Sequence, residues 1–431
     1  MGYLAVLTSC GGGSSTTTGS TECDVPSQQN WLRSYMLSSY FWSGASPNPE
    51  PAAYDTVQKY FDALRFAGDG TVPKDRWSYI SDSAGYNQFF GEGKTLGYGL
   101  FVNGLELKLP LKARFIEAQS PAAAQGLVRG DEILSVNGRS AAELIAANDF
   151  SALSPAKEGD TLTLQVAGIA GPRTVTLTAA TYTLTPVPVS RVLTLANGTK
   201  AGYLVLKDFI TQAEAPLTAA FNDFRAAGAT ELILDLRYNG GGRISTSNVL
   251  ASLVAGSTHN GKLFTRLSYS ASQSSRNTNY TLTSADTGFA RVVVLTGQRT
   301  CSASELIVNG LKPYVQVVTV GAQSCGKPFG FSPTTSCSST FSAVNFESLN
   351  ALGEGRYYEG IAATCPVADD FSDPLGDMSE KLTAAAVGFL QTGACPAVAP
   401  AAAARTSALS AARQARDAGP EPGERQGMWA D

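Results

Sequence analysis

The chain has 431 residues, 43% hydrophobic and 16% charged, with a formal net charge of −4. That length predicts two or three domains, each able to bury a core, and no clustered run of Lys and Arg supplies a nucleic-acid footprint. No stretch approaches the roughly 20 apolar residues of a membrane-spanning helix.

Residues 1–27 read as an address and a tether. Leu7-Thr8-Ser9-Cys10 follows a short apolar stretch and precedes a Gly/Ser/Thr run, Gly11 to Thr18. This resembles a bacterial lipobox, which implies cleavage before Cys10 and lipid on that cysteine. The reading takes the start as truncated, because no Lys or Arg precedes the apolar stretch as an n-region requires. A chance cysteine in an unstructured start is the alternative. The Gly/Ser/Thr run suits a flexible tether, and the expected location is the bacterial cell envelope, lipid-anchored and facing the periplasm.

Residues 28–95 are expected to form a small helical domain. Trp31, Met36, Tyr40 and Phe41 suit one amphipathic helix, and Val57, Tyr60, Phe61 and Leu64 a second. The Pro-rich break Ser46 to Pro51 separates them.

Residues 97–185 read as short strands with one helix. Gly97-Tyr98-Gly99-Leu100 opens the segment, and Arg129-Gly130-Asp131-Glu132-Ile133-Leu134-Ser135-Val136-Asn137-Gly138 follows Ser120 to Leu127. Asn137-Gly138 after an alternating strand signals a tight hairpin turn. Together these pieces resemble a PDZ domain of the bacterial protease type. The resemblance implies that Gly97, Tyr98, Gly99 and Leu100 offer backbone N–H groups to a peptide's terminal carboxylate while the peptide adds as a strand.

Residues 190–395 predict an α/β core. Gly202 to Leu206 reads as a strand, 213–227 as a helix with Leu217, Phe221 and Phe224 on one face and Gly228 closing it, and Glu231 to Leu236 as a buried strand. This βαβ unit implies parallel strands with helical cover. Val292–Leu295 and Val315–Val320 continue the pattern with a helix between them. Beyond Pro396, residues 396–431 are rich in Ala, Pro and charge, without an aromatic anchor until Trp429, and read as disordered.

Three stretches of this core carry chemistry. Thr300-Cys301-Ser302-Ala303-Ser304-Glu305 leaves a buried strand and opens a helix. Taken alone, Ser302-x-x-Glu305 is a capping box. Ser324-Cys325-Gly326-Lys327-Pro328 follows the next strand, so strand, helix and strand return Lys327 to the sheet edge that holds Ser302. Asp235-Leu236-Arg237-Tyr238-Asn239-Gly240-Gly241-Gly242 exposes backbone N–H groups at the carboxyl edge, where α/β sites form. A serine hydroxyl needs a base, and lysine serves only when burial lowers its pKa. The oxyanion needs donors aimed in advance, which a helix N-terminus beside Gly-rich backbone supplies. A Ser-His-Asp arrangement would depend on His259, the one histidine, which sits in a turn sequence.

These three ordered motifs, with the upstream PDZ-like segment, resemble the C-terminal processing peptidases, or tail-specific proteases, over residues 28 to about 395; Asp75-Arg76-Trp77-Ser78-Tyr79-Ile80 fits the lipoprotein branch. The resemblance implies an α+β multidomain fold: a helical N-terminal domain, a PDZ domain and a ClpP/crotonase-like serine peptidase core. It makes Ser302 the nucleophile and Lys327 the general base, with the Ala303 N–H and one from Gly241 or Gly242 as oxyanion hole. Polypeptides selected by their tails are the expected partners, with no cofactor and no metal. One position departs: many relatives carry Gln four residues after the lysine, and here Phe331 stands there, so the dyad lacks that third member or another polar group replaces it. A non-catalytic PDZ scaffold or apolar-ligand binder is the rival class. A lipid-active serine hydrolase would need a G-x-S-x-G elbow and a partner histidine.

Six cysteines remain besides Cys10, an even number that suits disulfides in an exported chain, with 15 pairings open. If Ser302 and Lys327 meet, Cys301 and Cys325 fall within disulfide reach; a pair of buried thiols is the alternative. Elimination then leaves Cys337 with Cys365 and Cys23 with Cys395, although nothing local dictates that.

Overall fold

The computed structural model describes residues 23–168, 171–397 and 427–430; the lipobox-like Cys10 and most of the 396–431 tail lie outside them. The N-terminal domain starts with helix Val25–Ser39, capped by the Asp24 carboxylate accepting from the Ser27 N–H at 2.7 Å, with proline in its first turn. A second helix, Val57–Leu64, is capped by Thr56. Their buried faces (Leu32, Met36, Tyr60, Phe61, Leu64) join a large aromatic cluster that extends into the core through Phe329, Phe331 and Phe341. The domain is therefore a wall of the core as well as a unit of its own. No helix among the described residues is long and apolar enough to cross a membrane.

The middle segment folds as eight short strands from Lys94–Gly97 to Ala180–Thr183, with two helices, Pro121–Ala124 and Ala141–Ala147, where one was expected. The second is announced by Ser140 and Glu143, a full capping box. Asn137 and Gly138 both take positive φ, 49° and 82°, the requirement of a two-residue type I′ turn, and Val136 pairs with Arg139 across it.

The core carries a six-stranded sheet in spatial order Val189–Thr194, Lys200–Val205, Glu231–Asp235, Arg291–Thr296, Gln316–Gly321, Cys365–Pro366. Its first pair is antiparallel and the rest are parallel. Runs such as Leu232-Ile233-Leu234 and Val292-Val293-Val294 are fully buried because both faces of this sheet are covered. Helix Glu214–Ala226 crosses between two parallel strands, as the βαβ reading requires, and Gly228 at φ 73° follows its end. A second six-stranded sheet has the order Gly241–Arg243, Gly427–Trp429, Phe329–Phe331, Val344–Leu349, Leu263–Tyr269, Thr278–Thr281.

Two expectations need correction. The reading of 396–431 as disordered fails at Gly427–Trp429, a strand whose Met428 and Trp429 are buried. A three-residue strand held between two others has too little sequence to show a period, and its composition is swamped by the Ala-rich run before it. The disulfides are Cys23–Cys337, Cys301–Cys325 and Cys365–Cys395. The pair flanking Ser302 and Lys327 is as expected, with Cα atoms 5.2 Å apart. The other two are exchanged relative to the elimination, because Cys337 sits beside the N-terminal helix, 314 residues from its partner in sequence.

Candidate active site

Ser302 lies between the strand Arg291–Thr296 and the helix Ala303–Leu311 at φ 59°, a left-handed conformation rare for a non-glycine residue. Such backbone persists only where its surroundings enforce it. Here the Asn239 carbonyl accepts from the Cys301 N–H (3.0 Å) and from Ser304 Oγ (2.9 Å). The Asn239 side chain is spent on the same loop, accepting from the Gly241 N–H at 2.8 Å and donating to the Leu206 carbonyl at 2.9 Å. Thr300 Oγ1 donates to Leu236. The Asp235 to Gly242 loop thus grips the nucleophile turn through Leu236 and Asn239, which hold Thr300, Cys301 and Ser304.

Glu305 joins this turn to the lysine loop. Its Oε2 accepts from the Ser302 N–H and from the Lys327 N–H, each at 2.8 Å, and its Oε1 accepts from the Gly326 N–H at 2.8 Å and from Ser324 Oγ. One carboxylate oxygen therefore bonds the backbones of both residues, which makes them immediate neighbours. Burial pushes the Glu305 carboxyl above its usual range against these four hydrogen bonds. Ser302 Oγ itself is buried without a hydrogen-bond partner. Ser302 and Glu305 also form the capping box that starts this helix, so the bond from the Ser302 N–H that caps the helix is the same one that ties the serine to the lysine loop.

Lys327 is 2% exposed, and burial pushes its ammonium down from 10.5 to about 7, against the attraction of the Asp75 and Glu305 carboxylates. Its Nζ stands 4.3 Å from the centre of the Phe331 ring and 5.8 Å from that of Tyr79. At the position where the family resemblance implies Gln, this chain offers an aromatic face, which attracts the cationic form through its quadrupole. Asp75 is held in place by Tyr40 Oη (2.6 Å) and by the N–H groups of Trp77 and Ser78. Trp77 Nε1 reaches the Gly326 carbonyl at 3.1 Å. The sequence reading used Asp75 to Ile80 only as a family mark and missed that it builds the lysine's surroundings.

The oxyanion candidates converge. Gly241 and Gly242 take φ of 113° and 139°, and a side chain on Gly241 would stand 3.1 Å from the Ala303 nitrogen. The Gly241 N–H is already engaged by Asn239. His259 is not part of the site: its ring packs 5.1 Å from that of Tyr314.

Gly97 to Leu100 lies apart, in the PDZ-like domain. Tyr98 and Leu100 point into that domain's core, Gly99 takes φ 73°, and the carbonyls of Tyr98 and Gly99 accept from Ala122 and Glu117. Salt bridges join that domain to the catalytic region. Arg299, three residues before Ser302, binds Glu106 at 2.7 Å, and Arg129 binds Asp369 at 2.8 Å while also donating to Tyr238 Oη. Burial alone would raise Asp369, but Arg237 and Arg129 hold it well below the usual carboxylate range. Arg237 in turn forks onto Glu380 at 2.7 and 2.9 Å.

The site thus brings together a serine at positive φ at a helix N-terminus, a buried lysine and a glycine turn. Three family profiles match in order: "Peptidase S41 N-terminal domain" over residues 27–79, "PDZ domain" over 97–167 and "Peptidase family S41" over 200–350. The chain belongs to peptidase family S41. It is 30% identical over 243 residues to a carboxyl-terminal-processing protease of Picosynechococcus sp., covering 54% of this chain and 55% of that protein. It is 28% identical over 244 residues to the protein of the same name from Synechocystis sp., 54% and 53% of the two chains. The chain thus spans about half the length of these relatives. In fold it resembles the structure described as an S41 protease from Bacteroides fragilis NCTC 9343 (TM-score 0.67, 24% identity, 84% of this chain and 97% of that one). It also resembles the photosystem II D1 C-terminal processing protease (TM-score 0.50, 20% identity, 79% and 92%).

Proposed function

We propose that this chain is a serine endopeptidase with a Ser302–Lys327 dyad, acting on exported or misfolded polypeptides whose C-terminal tails the PDZ domain selects. The observation that carries the reading is Glu305, which bonds the backbones of both residues while leaving Ser302 Oγ unpartnered and Lys327 buried. With a pKa of about 7, Lys327 is largely neutral just above neutral pH and accepts the Ser302 proton as Oγ attacks the scissile carbonyl. The Ala303 N–H and a donor from the Gly241–Gly242 turn stabilise the oxyanion. Lys327 then returns the proton to the leaving amine, and water releases the acyl group by the same route. The Arg299–Glu106 and Arg129–Asp369 bridges give the PDZ domain two fixed contacts with the catalytic loops, so that tail capture and cleavage share one frame. Lipidation at Cys10 and a periplasm-facing location belong to the same proposal; three disulfides suit an oxidising compartment.

The test incubates purified protein with unfolded polypeptides ending in apolar or charged residues, as free acids and as amides, and maps the cuts by mass spectrometry. The proposal expects cuts that vanish in Ser302→Ala and slow when the tail is amidated. Cuts that persist in Ser302→Ala would overturn the nucleophile, and equal turnover of acid and amide would overturn tail selection.

A further inference from the structure

The strand Gly427–Trp429 is inserted between Gly241–Arg243 and Phe329–Phe331 and runs parallel to both. Both neighbours belong to the catalytic apparatus. On one side Gly427 pairs with Gly241, and a side chain on Gly241 would overlap the Gly427 carbonyl while standing 3.1 Å from the Ala303 nitrogen. On the other side Trp429 pairs with Phe331, whose carbonyl accepts from the Ala430 N–H at 3.0 Å and whose ring faces Lys327 Nζ at 4.3 Å. The segment therefore lies between the Gly241–Gly242 turn, which stands beside Ala303, and the strand whose Phe331 ring faces Lys327.

Its side chains are seated as a substrate's would be. Met428 is fully buried in the apolar cluster that includes Ala303 and Phe346. Trp429 is 3% exposed, its ring 4.2 Å from that of Phe90 and 6.3 Å from that of Phe331. Ser302 and Lys327 are 0% and 2% exposed, so no external chain reaches them until something packed over them leaves. The fit of the segment is imperfect in one respect: Trp429 Nε1 is buried without a hydrogen-bond partner, a polar group whose exposure would restore its hydration.

Resting on the assignment of Ser302 as nucleophile, we propose that Gly427 to Ala430 is a substrate-like strap that occupies the peptide lane in cis and must be displaced before a substrate strand enters. The same contacts name the side chains the lane prefers: a flexible aliphatic residue where Met428 sits, followed by an aromatic one where Trp429 sits. Competition in cis reduces the apparent affinity for any outside peptide by the fraction of time the lane is open.

The test uses the full chain carrying Ser302→Ala, so that nothing is cut, and a capped peptide containing Gly-Met-Trp-Ala. Hydrogen exchange is followed at the amides of residues 427–430 as peptide is added. The strap account expects these amides to lose protection and the peptide to bind; a scrambled sequence without the Met-Trp pair binds more weakly. Protection unchanged at saturating peptide would overturn it. In a second arm, Gly427→Val places a side chain where it collides with the strap's own Trp429 ring, and the expected result is peptide binding tightened about tenfold or more. Equal binding by the two chains, both shown folded by thermal unfolding, would likewise overturn it. If the amides open on peptide addition but the chain with Ser302 intact cleaves nothing, the strap stands and the peptidase reading fails.

Discussion

Burying Lys327 costs stability, and the cost has a pH signature. A pKa drawn from 10.5 to about 7 corresponds to about 5 kcal/mol, at ~1.4 kcal/mol per tenfold change in proton affinity. The folded pKa lies below the unfolded one. Between pH 7 and 10.5, therefore, the unfolded chain holds a proton that the folded chain has released, and stability rises with pH across that window. Below about pH 7 both states are protonated and the whole penalty applies; above about 10.5 both are neutral and it is gone. Lys327→Met keeps the length of the side chain and removes the charge. The variant is expected to be more stable than the parent by up to about 5 kcal/mol near pH 6, with the difference closing toward zero by about pH 10.5. Urea unfolding of both oxidised chains at several pH values gives that difference, and contributions from groups not coupled to Lys327 cancel in it. Intrinsic fluorescence is a suitable probe, because all four tryptophans, Trp31, Trp42, Trp77 and Trp429, lie in the aromatic cluster around the site. A difference independent of pH, or a Met variant less stable than the parent at pH 6, would refute the reasoning.

Further outcomes follow from the same geometry. Glu305→Gln turns one acceptor oxygen into a donor facing N–H groups; about 3–5 kcal/mol of stability and most activity are expected to go, read by unfolding and by cleavage rate. Phe331→Leu removes the aromatic face that favours the ammonium, so the pH–rate profile is expected to move acidward by up to about one unit, with a lower plateau; a shift toward higher pH would contradict this. Joint replacement of Cys301 and Cys325 by alanine opens a bridge spanning 24 residues and is expected to lower stability by about 3 kcal/mol. Its cleavage rate is expected to fall as well, since the bridge ties the nucleophile turn to the base loop.

The parts legible in the sequence are those that local chemistry and chain order determine. The strand before Ser302 and the helix and strand that follow it bring Ser302 and Lys327 to one sheet edge, and the Cys301–Cys325 bridge follows from that proximity. Asn137-Gly138 announced its hairpin. The surroundings of the lysine were not legible, because Asp75, Trp77 and Tyr79 reach it across some 250 residues of chain, as the Trp77 to Gly326 hydrogen bond shows. Long-range packing of this kind leaves no periodic trace. The same holds for Cys23 with Cys337, and for Gly427–Trp429, which is a strand only because two other strands offer it their edges. Phe331 was visible as a departure from the family pattern, but its role as a face for Lys327 needed the structure.

The central claim is that Lys327 is the base for Ser302. Its most direct test is the pH dependence of kcat/KM for cleavage of an unfolded polypeptide by the parent chain and by Lys327→Ala. The account predicts a rate that rises with an apparent pKa near 7 in the parent, and no Ser302-dependent cleavage at any pH in a Lys327→Ala chain that is still folded. Cleavage by Lys327→Ala at the parent rate would contradict it.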